Sequence, residues 1–305
     1  MTGNTLTFSS YKPSNGLWLA FLRCSVSALA LVHFIAIQFD FNNIFSVNAF
    51  VAPDITDVLK DSLLPSIYII YHSIKIIADV DYANVLLAIR IFYPLALLML
   101  LVGFFTRVTA LLSLFFQLII LNSMDFYSYG VDVFTTITLF YCFIFPVGRF
   151  LSIDGYLFKK TVPPGNLNQY LRVFRAHVCV IYFFSGFEKL LGYNWRNGES
   201  MWKMVHGYNT VSFIDLDFLS NTPFFLCAGW MTIALEMLYP IFINIKRTRK
   251  LWLISVIGFH VIIAFFMGLY FFSCMMIILN LTAYYIPFLQ TADKVIEDND
   301  NLVMI

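Results

Sequence analysis

Residues 251–289 read LWLISVIGFHVIIAFFMGLYFFSCMMIILNLTAYYIPFL, without a single Lys, Arg, Asp or Glu. A helix that crosses lipid takes about 20 apolar residues. The run is therefore long enough for two such helices and must break, and Met267-Gly268-Leu269 supplies the turn. Two apolar helices in succession, with no charged face on either, have no side to offer to water. The stretch reads as a membrane-embedded helical hairpin, and the fold class as all-α.

Working outward, comparable runs lie near 17–38, 85–104, 108–122, 131–147, 171–191 and 224–245. With the two arms of the hairpin, 251–269 and 271–288, they predict a polytopic bundle of about eight transmembrane helices. The stretch 63–78 is interrupted by His72 and Lys75 and is expected to lie along the interface or re-enter. Composition agrees. The chain is 60% apolar and 12% charged, where a soluble domain carries about 25% charged residues, so most of its surface faces lipid. Thirty-four Phe and 17 Tyr suit lipid contact and interfacial belts. A net charge of +1 gives no electrostatic case for nucleic acid. The first apolar run is too long for a signal-peptide core and lacks a small-residue cleavage site, so it reads as a retained span. Cys24, Cys142, Cys179, Cys227 and Cys274 each fall in an apolar run, which predicts buried packing. No His or Cys pair has ligand spacing, so no metal is expected.

Orientation follows from Lys and Arg in the loops. Residues 148–175 carry Arg149, Lys159, Lys160, Arg172 and Arg175 against Asp154, and 246–250 carry Lys246, Arg247, Arg249 and Lys250. Both are expected to be cytoplasmic. Residues 39–62 carry Asp40, Asp54, Asp57 and Asp61 against Lys60, and read as external. Eight crossings satisfy all three, with both termini cytoplasmic. The result is one membrane domain over 1–305, with external loops at 39–84 and 192–222 and an acidic cytoplasmic tail at 290–305.

An ionisable group in a span costs at least about 2.5–3.5 kcal/mol near the centre. Five such groups stand out: His33, Asp132, Lys189, Glu236 and His260. His33 reads as a structural hydrogen-bonder. Asp132 opens the fourth span, where a carboxylate can cap the helix or serve a site. Lys189 lies near the external end of the fifth span, either as an interfacial anchor or as a base held in a dry pocket. Glu236 and His260 lie near the middles of the sixth and seventh spans. They are expected to face the interior, bonding to each other, to Asn280 or Thr282, or to a ligand. At 1.5 Å per residue, they should sit roughly 10–15 Å deeper than Lys189 and Asp132.

The stretch Arg175-Ala-His177, Tyr182-Phe-Phe-Ser-Gly186, Lys189-Leu190, Trp195 and Gly198 resembles the central motif of the HTTM family. That is the membrane domain shared with vitamin K-dependent γ-glutamyl carboxylase. Phe145-Pro-Val-Gly148 with Ser152-Ile-Asp-Gly155, and Phe259-His260 with the Met267-Gly268 break, resemble its flanking elements, and the likeness covers roughly 85–290. The resemblance implies a reduced quinone of the vitamin K or menaquinone type as cofactor, with Lys189 as base. His260 and Asp132 are the other catalytic candidates. Glu236, Trp195, His177, Tyr182 and Asn280 are the candidate substrate- or quinone-binding residues. Two departures stand beside this. The family's functional histidine falls at about Val131 or Asp132 in this chain, and the 305 residues hold no large external domain for substrate propeptides. The chain also resembles bacterial maturation proteins for sporulation-delaying toxin peptides. That implies a bacterial inner membrane, a site on the periplasmic side, a secreted peptide substrate and a soluble accessory protein. Two further readings stand beside the enzyme: a non-catalytic maturation or export partner, and a lipid-binding or transport protein.

Overall fold

A computed structural model of the chain describes residues 16–59, 64–158, 163–207, 217–220 and 222–287. Every regular element among them is helical. The described residues divide into two compact units, one within Gly16–Val162 and one within Pro163–Ile305. The first holds α1 (Leu17–Ile37), α2 (Tyr82–Val102), α3 (Thr106–Ser123) and α4 (Gly130–Ile144). The second holds α5 (Pro164–Leu191), α6 (Phe224–Met237), α7 (Arg249–Met267) and α8 (Tyr270–Asn280). Each apolar run of the sequence has become one of these eight helices. By length and composition α1, α2, α3 and α7 can each cross a membrane, while α4, α6 and the α8 segment through Tyr285 are shorter apolar helices. Lys60, Asp61, Lys159, Lys160 and the acidic tail lie outside the described residues.

The hairpin breaks where its sequence says it should. α7 ends at Met267, Gly268 takes a left-handed φ of 66°, and α8 begins at Tyr270. A residue without Cβ takes that conformation at no steric cost. The 63–78 stretch yields only the nine-residue helix Ile67–Lys75, about 14 Å long and too short to cross. One expectation needs correction. Cys142 is buried, but Cys227 and Cys274 are exposed, because a helix face that meets lipid has no need to hide a thiol.

The N-terminal unit is tied together at one end by two charged residues. Arg23 of α1 is fully buried. Its guanidinium donates to the carbonyl of Leu151 at 2.5 Å and to that of Leu100 at 3.3 Å. Leu100 belongs to the last turn of α2, where carbonyls lack helical partners and the helix dipole favours a cation. Gly103 closes that turn with φ 73°, and a Cβ there would stand 1.9 Å from Arg23 Nη1. Asp154 caps α3 in turn. Its carboxylate accepts the Phe105 N–H at 2.9 Å, the Thr106 N–H at 2.7 Å and the Thr106 hydroxyl at 2.6 Å. The Phe145–Gly155 element is thus a structural clasp. Asp154→Ala is expected to cost about 0.5–2 kcal/mol, the usual worth of a helix cap. Thermal unfolding in detergent reads it, and an unchanged midpoint would contradict the capping role.

Candidate functional site

Tyr182, Ser185, Gly186 and Lys189 fall at i, i+3, i+4 and i+7 on α5 and so share one face. That face meets α6 and the residues just after it, running antiparallel. Tyr182 stacks on Tyr239, with ring centroids 4.1 Å apart. Gly186 lies against Glu236 and Met237, where an added Cβ would come within 2.7 Å of the Met237 nitrogen. Further on, a Cβ on Gly229 would stand 2.4 Å from the Trp195 carbonyl oxygen. Small residues let the backbones close to this distance, as they do between helices in lipid.

Close approach sets up an ion pair. Lys189 Nζ donates to Glu236 Oε2 at 2.8 Å and to Ser185 Oγ at 2.6 Å. It also lies 5.1 Å from the centroid of the Trp195 ring, within cation–π range. The side chains are 18% (Lys189) and 7% (Glu236) exposed, so the pair is largely shut off from solvent. Helical side chains lean toward the N-terminus, which carries Nζ back one turn to Ser185. The expected 10–15 Å depth difference between Lys189 and Glu236 is thereby overturned. The apolar run suggested an external end at Leu191, but the chain continues beside α6 through Trp195 and Gly198, whose Cα abuts Leu226. Lys189 is consequently level with the second half of α6.

Two turns back along the same face, a second polar group begins. The Tyr182 hydroxyl is 2.7 Å from His260 Nε2, Asn280 Nδ2 donates to the Tyr182 oxygen at 2.7 Å, and the Tyr239 hydroxyl donates to Asn280 Oδ1 at 2.7 Å. All four side chains are buried. Asn280 is the last α-helical residue before a π-helical turn, Leu281–Tyr285, a distortion that recurs at functional sites. Arg175 Nε donates to the Ala283 carbonyl in that turn at 2.6 Å, which gives the arginine of the central motif a structural task.

Asp132 and His33 form a separate cluster in the N-terminal unit. Asp132 Oδ2 accepts the Tyr129 N–H at 3.1 Å, the helix-capping role weighed for it, and Oδ1 lies 3.8 Å from His33 Nδ1. Tyr93 and Gln117, themselves hydrogen-bonded, line a small cavity with them.

Lys189, Glu236 and Trp195 therefore come together, as do Tyr182, His260 and Asn280. His177 lies 12 residues before Lys189, about 18 Å back along α5 and away from the ion pair. Ser185 and Tyr239 were not singled out from the sequence. Ser185 stood one turn before Lys189 within the quoted motif, which was the available signal. Tyr239 follows α6 and had none. Among the described residues no group of three or more His, Cys, Asp or Glu is placed to hold a metal. No curated protein and no solved structure matches the chain. The HTTM domain matches residues 11–286, across both units. With nine-tenths of its length inside that match, the chain belongs to the HTTM domain family.

Proposed function

We propose that this chain is a membrane enzyme in which Lys189 serves as base. The reaction class is a quinol-linked oxidation or a carboxylase-like modification of a secreted peptide, at the external face of a bacterial inner membrane, with a soluble accessory protein as partner. The corresponding topology is eight crossings with both termini cytoplasmic. The observation that carries the reading is the 2.8 Å contact between Lys189 and Glu236 on neighbouring apolar helices. Moving one proton along that bond converts ammonium and carboxylate into amine and carboxylic acid. In a low-dielectric site the attraction between buried charges is largely offset by their desolvation, so the neutral pair competes with the ionic one. An uncharged amine at Nζ is the form that can accept a proton from a substrate. Ser185 can hydrogen-bond Nζ in either form, while the Trp195 ring favours the charged one.

The residues also fit a quinone. His260 is buried with its Nδ1 lacking a hydrogen-bond partner among the described residues, and Phe259 and Phe272 flank its ring at 5.3 and 5.9 Å. An oxygen-bearing aromatic ring system suits such surroundings. Bound there, a reduced quinone would supply the electrons for reaction with dioxygen, while His260, Phe259 and Phe272 hold it. The test is oxygen uptake by the purified protein in nanodiscs supplied with reduced menadione. Uptake faster than with protein-free nanodiscs supports the reading, and equal rates contradict it.

A further inference from the structure

One direction for the hydrogen bonds around Asn280 leaves the fewest groups unpaired, and it places the ring proton of His260. Asn280 Nδ2 lies 2.8 Å from the Met276 carbonyl oxygen. A carbonyl can only accept, so the amide nitrogen must stand on that side. The remaining Nδ2 hydrogen then points at the Tyr182 oxygen at 2.7 Å, and Oδ1 is left to accept from Tyr239. Tyr182 accepts from Asn280, so its own proton is free for His260 Nε2, 2.7 Å away. An Nε2 that accepts carries no hydrogen, which leaves the ring hydrogen on Nδ1. That Nδ1 is buried without a hydrogen-bond partner among the described residues.

We infer that Asn280 and Tyr182 are positioning residues that hold His260 as the neutral Nδ1–H tautomer, so that it presents a single donor to an acceptor oxygen on an uncharged, ring-containing ligand. The inference deepens the proposed function of the same site. Its central observable, the tautomer, exists with or without quinol chemistry. Tyr239 has a different standing. It takes no part in setting the direction, because the Met276 carbonyl already orients the amide.

The tautomer is directly measurable. Protein labelled with 15N at the histidine rings, in lipid, is examined by solid-state NMR, and His260 is assigned by its loss in His260→Gln. The parent should show a protonated Nδ1 and an unprotonated Nε2. Tyr182→Phe, which keeps the ring stacked on Tyr239 but deletes the hydroxyl, should move the proton to Nε2. Tyr239→Phe should leave the parent tautomer intact, whereas a mere packing role would make the two hydroxyl deletions behave alike. Adding menadione should shift the Nδ1 resonance and spare Nε2. A parent His260 protonated at Nε2 or at both nitrogens overturns the inference even if neither tyrosine variant folds. So does a tautomer unchanged in Tyr182→Phe. An Nδ1 resonance that menadione does not move overturns the ligand assignment, and failure of the oxygen-uptake assay alone leaves the tautomer result standing.

Discussion

Lys189→Arg is expected to lower menadiol-dependent oxygen uptake by about 10²- to 10⁴-fold, the range that a positioned base contributes. Arginine keeps the positive charge and can still meet the Glu236 carboxylate and the Trp195 ring. What it lacks is an accessible neutral form, since its guanidinium stays protonated in proteins. The substitution therefore separates a base from a structural ion pair. If Lys189 only joined α5 to α6, arginine would restore function and Lys189→Met would not. With Lys189 as the base, both variants lose activity. Lys189→Met should still fold, because the methionine fills the lysine stem's space and Glu236 can remain as an uncharged acid. Near-parental uptake in Lys189→Arg would show that the pair is structural.

The second large effect concerns stability. Arg23→Met is expected to destabilise the N-terminal unit by on the order of 3 kcal/mol, from charge-assisted bonds to two carbonyls at about 1.5–3 kcal/mol each, less what relaxation recovers. Both acceptors, Leu100 and Leu151, are held in the clasp around Gly103 and Ser152. Loss of the guanidinium removes the side-chain donor from both and leaves Leu100 with the Gly103 N–H alone. Gly103→Ala should reproduce much of the loss by a different route. It forces a Cβ into the space of Arg23 Nη1 and strains a backbone at φ 73°. Unfolding in detergent followed by circular dichroism measures both. A midpoint indistinguishable from the parent's in either variant would contradict the clasp.

The helical fold was plain in the sequence because apolar length alone specifies a lipid-facing helix. The Met267–Leu269 break was equally plain, since Gly268 stands near the middle of the run, whereas a turn at Gly258 would leave an arm too short to cross. The role of Arg23 is not legible in the sequence, although the residue stands inside the first apolar run. Its partners are backbone carbonyls 77 and 128 residues away, and carbonyls leave no side-chain signature. The site was half legible. Lys189, Glu236, His260, Tyr182, Trp195 and Asn280 were all named as candidates. Their grouping was not, because depth was counted from the ends of apolar runs. The chain beyond Leu191 keeps company with α6 through glycines that permit backbone contact, and nothing in an apolar count records that. The direction of the Asn280 bonds was also out of reach, since it hangs on a main-chain carbonyl one turn earlier.

The most direct test of a redox pocket built against Lys189 is to extract the lipid-soluble molecules that co-purify with the parent protein and with Lys189→Ala, and to identify them by mass spectrometry. Such a pocket predicts a quinone in the parent and its depletion in the variant. A parent that carries no quinone, or a variant that retains it in full, would contradict that claim and return Lys189 to the role of an interhelical anchor.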